Sequence, residues 1–102
     1  MQRDMGNYEV ISSVETEECS LRLLKLDRGK YVNLHHHDKT TQTYFVIEGV
    51  VEVTIGRNAK KLQPYEILRI PPQAVHGLRS TGPSLVLSIS IPPLQMDDQH
   101  LL

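Results

Sequence analysis

The run "LHHHDKTTQTYFVIEGVVEVTIG", residues 34–56, sets three consecutive imidazoles just ahead of a stretch rich in β-formers. Histidine is the commonest protein metal ligand, because its neutral ring offers a nitrogen lone pair at working pH. Alternate residues of an extended chain share a face. Tyr31, Asn33, His35 and His37 are therefore expected on one side, and Val32, Leu34 and His36 on the other. His35 and His37 then form a chelating pair, while His36 turns toward solvent or a subunit contact. Two solvated histidines would show the same H-x-H spacing, so the pair gains meaning only from its surroundings. Gly29 precedes His35 by six positions, Gln42 follows His37 by five, and Gly49 follows Gln42 by seven. His76 comes shortly after the Pro71-Pro72 pair.

Positioning such side chains requires a scaffold, and the pattern is one of short strands. Apolar runs at 21–26, 31–37, 43–55, 66–70, 75–80 and 84–91 are separated by turn-forming residues such as Asp27-Arg28-Gly29, Gly49, Gly56-Arg57-Asn58, Pro64 and Gly82-Pro83. Val51, Val53 and Ile55 alternate with Glu52 and Thr54. Leu85, Leu87, Ile89 and Ile91 alternate with Val86, Ser88 and Ser90 in the same way, as in strands with one buried face. A 3.6-residue period is nowhere sustained beyond about ten residues, so long helices are not expected. Short strands at this spacing predict an all-β sandwich or barrel. Residues 8–12 add a candidate strand within an otherwise polar segment, and the tail "QMDDQHLL" is expected to fray or form a short helical turn, with His100 on the surface. Pro71-Pro72 should end a strand and begin the turn that delivers His76, since proline removes a ladder donor. Gly29 and Gly49 are expected in tight turns.

Bulk composition narrows the partners. A chain of 102 residues suits one domain. Lys plus Arg total 11 against 12 Asp plus Glu, and the basic residues are scattered, which argues against nucleic acid. The Lys60-Lys61 pair reads as a solvated loop. Cys19 is the one cysteine, excluding an intrachain disulfide and suiting a reducing cytoplasm, where it would act as a small buried hydrophobe. The opening "MQRDMGNYEV" lacks the apolar segment of a signal peptide. No apolar run approaches the ~20 residues of a membrane helix. A cytoplasmic protein with no membrane partner is expected.

The spacing of the glycines, histidines and Gln42 resembles the cupin superfamily. Its first motif reads G-x5-H-x-H-x3–4-E-x6-G, and Gly29, His35, His37, Gln42 and Gly49 keep every interval, with glutamine in place of glutamate. The second motif reads G-x5-P-x-G-x2-H-x3-N. Here Pro71 and His76 are kept, while Tyr65, Gln73 and Ser80 stand for the two glycines and the asparagine. The resemblance implies a single domain over residues 1–102, with motif one at 29–49 and motif two at 65–80. Residues 1–18 would form an N-terminal arm or edge strand and 93–102 a C-terminal tail. The implied fold is all-β, a small double-stranded β-helix or jelly-roll barrel, with a divalent metal inside held by His35, His37, Gln42 and His76. Zn, Ni, Fe, Mn and Cu all suit a nitrogen-rich site. Small cupins also imply a homodimer, with residues 8–12 as the edge or exchanged segment.

Glutamine for glutamate removes the one anionic ligand, so the full +2 charge of the ion would stand. That makes the ion a stronger Lewis acid, draws anionic substrates and hinders oxidation to M(III). The same exchange looks like that in cupins that open unsaturated uronate rings and in polyketide cyclase-like cupins. The uronate group also places acidic, aromatic and basic side chains on and just after the last strand, where this chain offers Ser88, Ser90 and Leu94. Tyr44 shares the parity of Gln42 and is a candidate to move protons, with core filling as its alternative role. Tyr31, Asn33, Arg69, Ser88 and Ser90 are candidate substrate-binding residues, and Arg79 is a further candidate for an anion. Three functions follow. The first is a metal-dependent isomerase, lyase or cyclase acting on a small polar or anionic metabolite. The second is a dioxygenase using Fe, Mn or Ni. The third is a non-catalytic small-molecule or sugar-binding module resembling the mannose-6-phosphate isomerase-like barrels.

Overall fold

The computed structural model describes residues 3–4 and 7–101, and these form short antiparallel strands. In chain order they are β1 (Arg3–Asp4), β2 (Glu9–Glu15), β3 (Ser20–Leu26), β4 (Tyr31–His37), β5 (Thr41–Glu48) and β6 (Val51–Ile55). There follow β7 (Asn58–Leu62), β8 (Ile67–Ile70), β9 (His76–Ser80), β10 (Ser84–Ile91) and β11 (Gln99–Leu101), the last preceded by a 3-10 turn at Met96–Asp98. One sheet runs β1-β2-β3-β10-β5-β8 and the other β11-β4-β9-β6-β7. The expected jelly-roll barrel is therefore corrected. Among the described residues neither sheet closes on itself, and no strand of one sheet pairs with a strand of the other. The all-β fold is a sandwich of two open sheets that meet through inward side chains rather than through backbone ladders. No helix is long and apolar enough to cross a membrane.

The inward side chains are graded along the sandwich. Across β3, β10 and β5 the paired residues run Leu24–Val86–Val46, then Arg22–Ser88–Tyr44, then Ser20–Ser90–Gln42. The apolar end joins Leu26, Val51, Val53, Leu62 and Leu78 in one buried core, which supplies the driving force for folding by removing aliphatic surface from water. The polar end holds the functional side chains. On β10 the strand was legible but its faces were exchanged. Ser84, Val86, Ser88 and Ser90 are buried, while Leu85, Leu87 and Ile89 are half-buried on the outer face and Ile91 is exposed. The inward serines have polar partners: Ser88 and Ser90 accept from Gln42 Nε2, and Ser84 donates to the carbonyls of Gly82 and Val50.

Three local features depart from a simple strand pattern. The register of β4 against β9 shifts between Val32 and His35, a bulge that inserts one extra residue. It reverses parity, so Val32 turns inward while Tyr31, Asn33 and Leu34 are exposed. Gly77 permits it, since a Cβ there would lie 2.8 Å from the Val32 carbonyl oxygen and 3.2 Å from Leu34 Cδ2. Lys60 and Lys61 lie not in a loop but in β7, an edge strand exposed along all but its last residue, where lysines deter pairing with other chains. The tail is not frayed: β11 pairs with β4, setting Gln99, His100 and Leu101 opposite His37, His36 and His35. The segment at residues 8–12 falls largely in β2, which lies between β1 and β3 rather than at the sheet edge. Cys19 is only partly buried.

Candidate metal centre

Period-two alternation beyond the bulge sends His35 and His37 of β4 into the sandwich, where both are buried. His76 opens β9 directly opposite His35 and is buried as well. The loop that delivers it is tied down at both sides, with Gln73 N–H donating to the His37 carbonyl at 2.5 Å and Gly56 N–H to that of Val75 at 2.8 Å. Tyr65 and Gln73, which occupy the two glycine positions of the second motif, both have φ of 71°. Glycine fits that left-handed conformation without the steric cost a side chain brings. Gln42 reaches the cluster from β5, on the other sheet.

Each imidazole is oriented by a backbone carbonyl. Nδ1 of His35 donates to Asn33 O at 2.6 Å, that of His76 to Ala74 O at 2.9 Å, and that of His37 to Asp98 O at 3.1 Å. The proton is thereby fixed on Nδ1, and Nε2 carries a lone pair. Gln42 Nε2 donates to Ser88 Oγ at 3.0 Å and Ser90 Oγ at 3.4 Å, which turns Oε1 toward His76 Nε2 at 2.7 Å. Two lone pairs thus face each other with no proton between them. His37 Nε2 is buried and makes no hydrogen bond. Ring centroids lie 4.9 Å apart for His35–His37 and 4.3 Å for His35–His76, and the three residues form a buried cluster able to coordinate a metal ion. A cation satisfies what neighbouring acceptors cannot, so the donor set fits a divalent metal.

Electrostatics agree. Burial, then the neighbouring His35, holds the His37 imidazole below its ordinary range. Burial pushes His76 down to about 4, only partly offset by its bond to Ala74. Both rings are therefore neutral lone-pair donors near pH 7. The Asp98 carbonyl behind His37 belongs to a residue whose carboxylate accepts from Asp38 N–H at 3.0 Å and Lys39 N–H at 3.2 Å. Burial alone would raise that carboxyl, but the hydrogen bonds from Lys39 and Asp38 outweigh it and hold it low.

A cavity of about 30 Å3 opens beside the cluster, bordered by His35, His37, Gln42, Tyr44, Ser88 and Arg22, with Tyr8, Leu24, Val32, Leu94 and Gln99 completing it. Tyr44 stands beside His76 with ring centroids 6.1 Å apart. Burial, then Tyr8, pushes its phenol well above the ordinary range, so it is a proton-bearing group at any working pH. Ser88 and Ser90 serve Gln42 directly. Tyr31 and Asn33 are not at this cavity. The bulge puts them on the outer face of the five-stranded sheet, in a separate concavity shared with Glu52 and Arg79. Arg69 is exposed on β8, opposite Thr43. Arg22 escaped the sequence reading, although Ser20, Arg22, Leu24 and Leu26 share one face of β3, and a charge on that otherwise inward face was the available signal.

Residues 22–90 match the family model for the cupin domain. An uncharacterised HTH-type transcriptional regulator of Bacillus subtilis, YobQ, is 31% identical over 83 residues, covering 78% of this chain and 34% of the relative. The mannose-1-phosphate guanylyltransferase ManC of Salmonella typhimurium is 31% identical over 80 residues, covering 78% of this chain and 16% of its own length. The chain thus spans about a third and a sixth of these curated relatives. Among solved structures, KdgF from Halomonas sp. superposes with a TM-score of 0.83 at 24% identity, over 95% of this chain and 91% of that one. An RmlC-like cupin from Shewanella frigidimarina does so at 0.85 and 20% identity, over 95% and 86%. With the family model covering the strands that carry Gln42 and the three clustered histidines, the chain belongs to the cupin domain family and carries a buried three-histidine cluster able to coordinate a metal ion.

Proposed function

We propose that this cupin is a metal-dependent enzyme of the isomerase, lyase or cyclase type acting on a small anionic or polar metabolite. The observation that carries the reading is the convergence of three buried imidazoles and the Gln42 oxygen beside a cavity bordered by a protonated phenol and an arginine. A divalent ion held by His35, His37, His76 and Gln42 (Zn, Ni, Fe, Mn or Cu) would supply Lewis acidity with its charge uncompensated by any protein anion. The chain's own residues do the rest. Arg22, whose Nη2 donates to Glu15 Oε1 at 3.1 Å, has further guanidinium N–H groups to offer a substrate carboxylate. Tyr44, held protonated, donates to an oxygen that gains charge. Ser88 and Ser90 accept from the Gln42 amide nitrogen and so hold the side chain in place while its oxygen faces the histidines. Leu24, Val32 and Leu94 add apolar walls to that space.

The test begins with metal analysis of protein purified without added metal, followed by turnover assays on uronates, keto acids and catechols with oxygen uptake recorded. His76→Ala should lower metal affinity at least about tenfold, the scale on which even indirect support of a ligand matters. Arg22→Ala should leave metal content unchanged and raise KM about tenfold, the worth of one charged hydrogen bond. Full metal occupancy in His76→Ala would remove the ligand assignment, and oxygen uptake would move the reading to a dioxygenase. A second reading has its own support: among the described residues no aspartate or glutamate borders the cavity, so an acid–base carboxylate is lacking. A binding module follows if metal is present and nothing turns over, a role that the regulator name of YobQ also suggests.

A homodimer completes the proposal. Leu21, Leu23, Phe45, Ile47, Leu85, Leu87 and Ile89 are only half-buried along the outer face of the six-stranded sheet, and Ile67 and Ile91 are exposed beside them. A face this apolar is well matched by its own copy across a two-fold axis. Sedimentation equilibrium returning the mass of one chain would dismiss it.

A further inference from the structure

We propose that His36, Asp38 and His100 form a second divalent-cation site, on the opposite face of β4 from the buried cluster. The alternation that buries His35 and His37 turns His36 outward, and Asp38, two residues on, falls on the same side. Pairing of β11 with β4 sets His100 directly opposite His36. The two imidazoles stack with centroids 4.8 Å apart and planes 22° from parallel, both reaching one carboxylate. His100 Nε2 lies 3.2 Å from Asp38 Oδ2 and His36 Nε2 3.6 Å from Asp38 Oδ1. Bonds of 2.0–2.1 Å in a tetrahedral zinc site put ligand atoms about 3.4 Å apart, so two of the three pairs already have ligand spacing. One potential ligand atom from each residue lies within 4.8 Å of the others, a gap that a small side-chain rotation closes.

The nitrogens also lack ordinary partners. His100 Nε2, the atom that approaches Asp38, is shielded from solvent yet makes no hydrogen bond, while on His36 it is the other ring nitrogen, Nδ1, that lacks a partner. The side chains of His36, His100 and Asp38 are 30%, 41% and 52% exposed, which leaves a way in for an ion and room for water to complete its shell. Two imidazoles and one carboxylate suit Zn2+, Ni2+ or Cu2+ in preference to Ca2+ or Mg2+. The three-histidine run is then divided between two sites, one on each side of a single strand. An ion at the outer site would also pin β11 to β4, next to the Asp98 carbonyl that orients His37.

The experiment is a calorimetric titration of chelator-stripped full chain with Zn2+, repeated on three variants. Wild type should take up two equivalents, the weaker at the outer site. His100→Ala and Asp38→Asn should each lose the weaker event or weaken it at least about tenfold, while keeping the tighter one. His76→Ala should keep the weaker event and lose the tighter. Asp38→Asn retains size at an exposed position, so the result stands even if His100→Ala disturbs β11. The outer site is overturned if wild type binds one equivalent that His76→Ala abolishes, or if both events survive unchanged in His100→Ala and Asp38→Asn. Either result leaves the buried centre intact.

Discussion

Gln42 is the residue on which the chemistry turns. Its nitrogen donates to Ser88 and Ser90, its oxygen lies 2.7 Å from His76 Nε2, and it brings no anionic ligand to the donor set. Gln42→Glu restores an anion without changing length. Metal affinity should rise at least about tenfold, since a unit charge in contact with a dication far exceeds the 1.4 kcal/mol that tenfold represents. Competition titration against a chromophoric chelator measures this, and unchanged affinity would place Gln42 outside the coordination sphere. At this scale the sequence was informative because spacing in the chain maps onto register in a strand. The resemblance of the intervals to the cupin motifs singled out His35, His37, Gln42 and His76, which the structure brings together, and the parity of Gln42 singled out Tyr44, which stands beside His76. Arg22 was not, because a lone arginine in "SLRLLKL" looks like any surface cation until both faces of β3 are known.

Elements succeed or fail by parity, and β4 shows how. A bulge between Val32 and His35 leaves the histidines inward but turns Tyr31 and Asn33 out, so two candidate residues were lost to one inserted position that no composition rule announces. Gly77→Ala tests the bulge. A Cβ 2.8 Å from the Val32 carbonyl forces β4 and β9 apart, with a cost of about 1–3 kcal/mol in denaturant unfolding. Metal affinity should fall with it, because His35 and His76 face each other across that same pair of strands. A variant as stable as wild type would mean the strands had room to spare. The other misreadings are of one kind. β7 was missed because Asn58, Lys60 and Lys61 suggest a loop and only Leu62 is buried. The inward face of β10 was misassigned because serines that bind Gln42 look, in isolation, like a solvent face. Residues 95–101 do form the short helical turn that was one of the two expectations, but nothing in the sequence announced that the Asp98 carboxylate would accept from the N–H groups of Asp38 and Lys39 just after β4. In each case partners far away in the chain decided the outcome.

For the molecule as a whole, the buried histidines set a pH response. His76 falls from an ordinary 6.5 when unfolded to about 4 when folded, so between these values the unfolded chain binds the extra proton. Stability is therefore complete above pH 6.5 and lost as pH drops toward 4, by about 3 kcal/mol for this group. Thermal unfolding of the chelator-treated protein should show Tm lower by roughly 10 °C or more at the acid end of that window. A flat profile would mean that His76 is solvated. The division into two open sheets bears on the same centre. His35, His37 and His76 hang from one leaf and Gln42 from the other, and among the described residues no backbone ladder stitches the leaves together. A cation held by all four side chains would act as a rivet. Prying the leaves apart to admit a guest and loosening the ion become a single motion, so slow metal exchange and slow guest entry should share one rate.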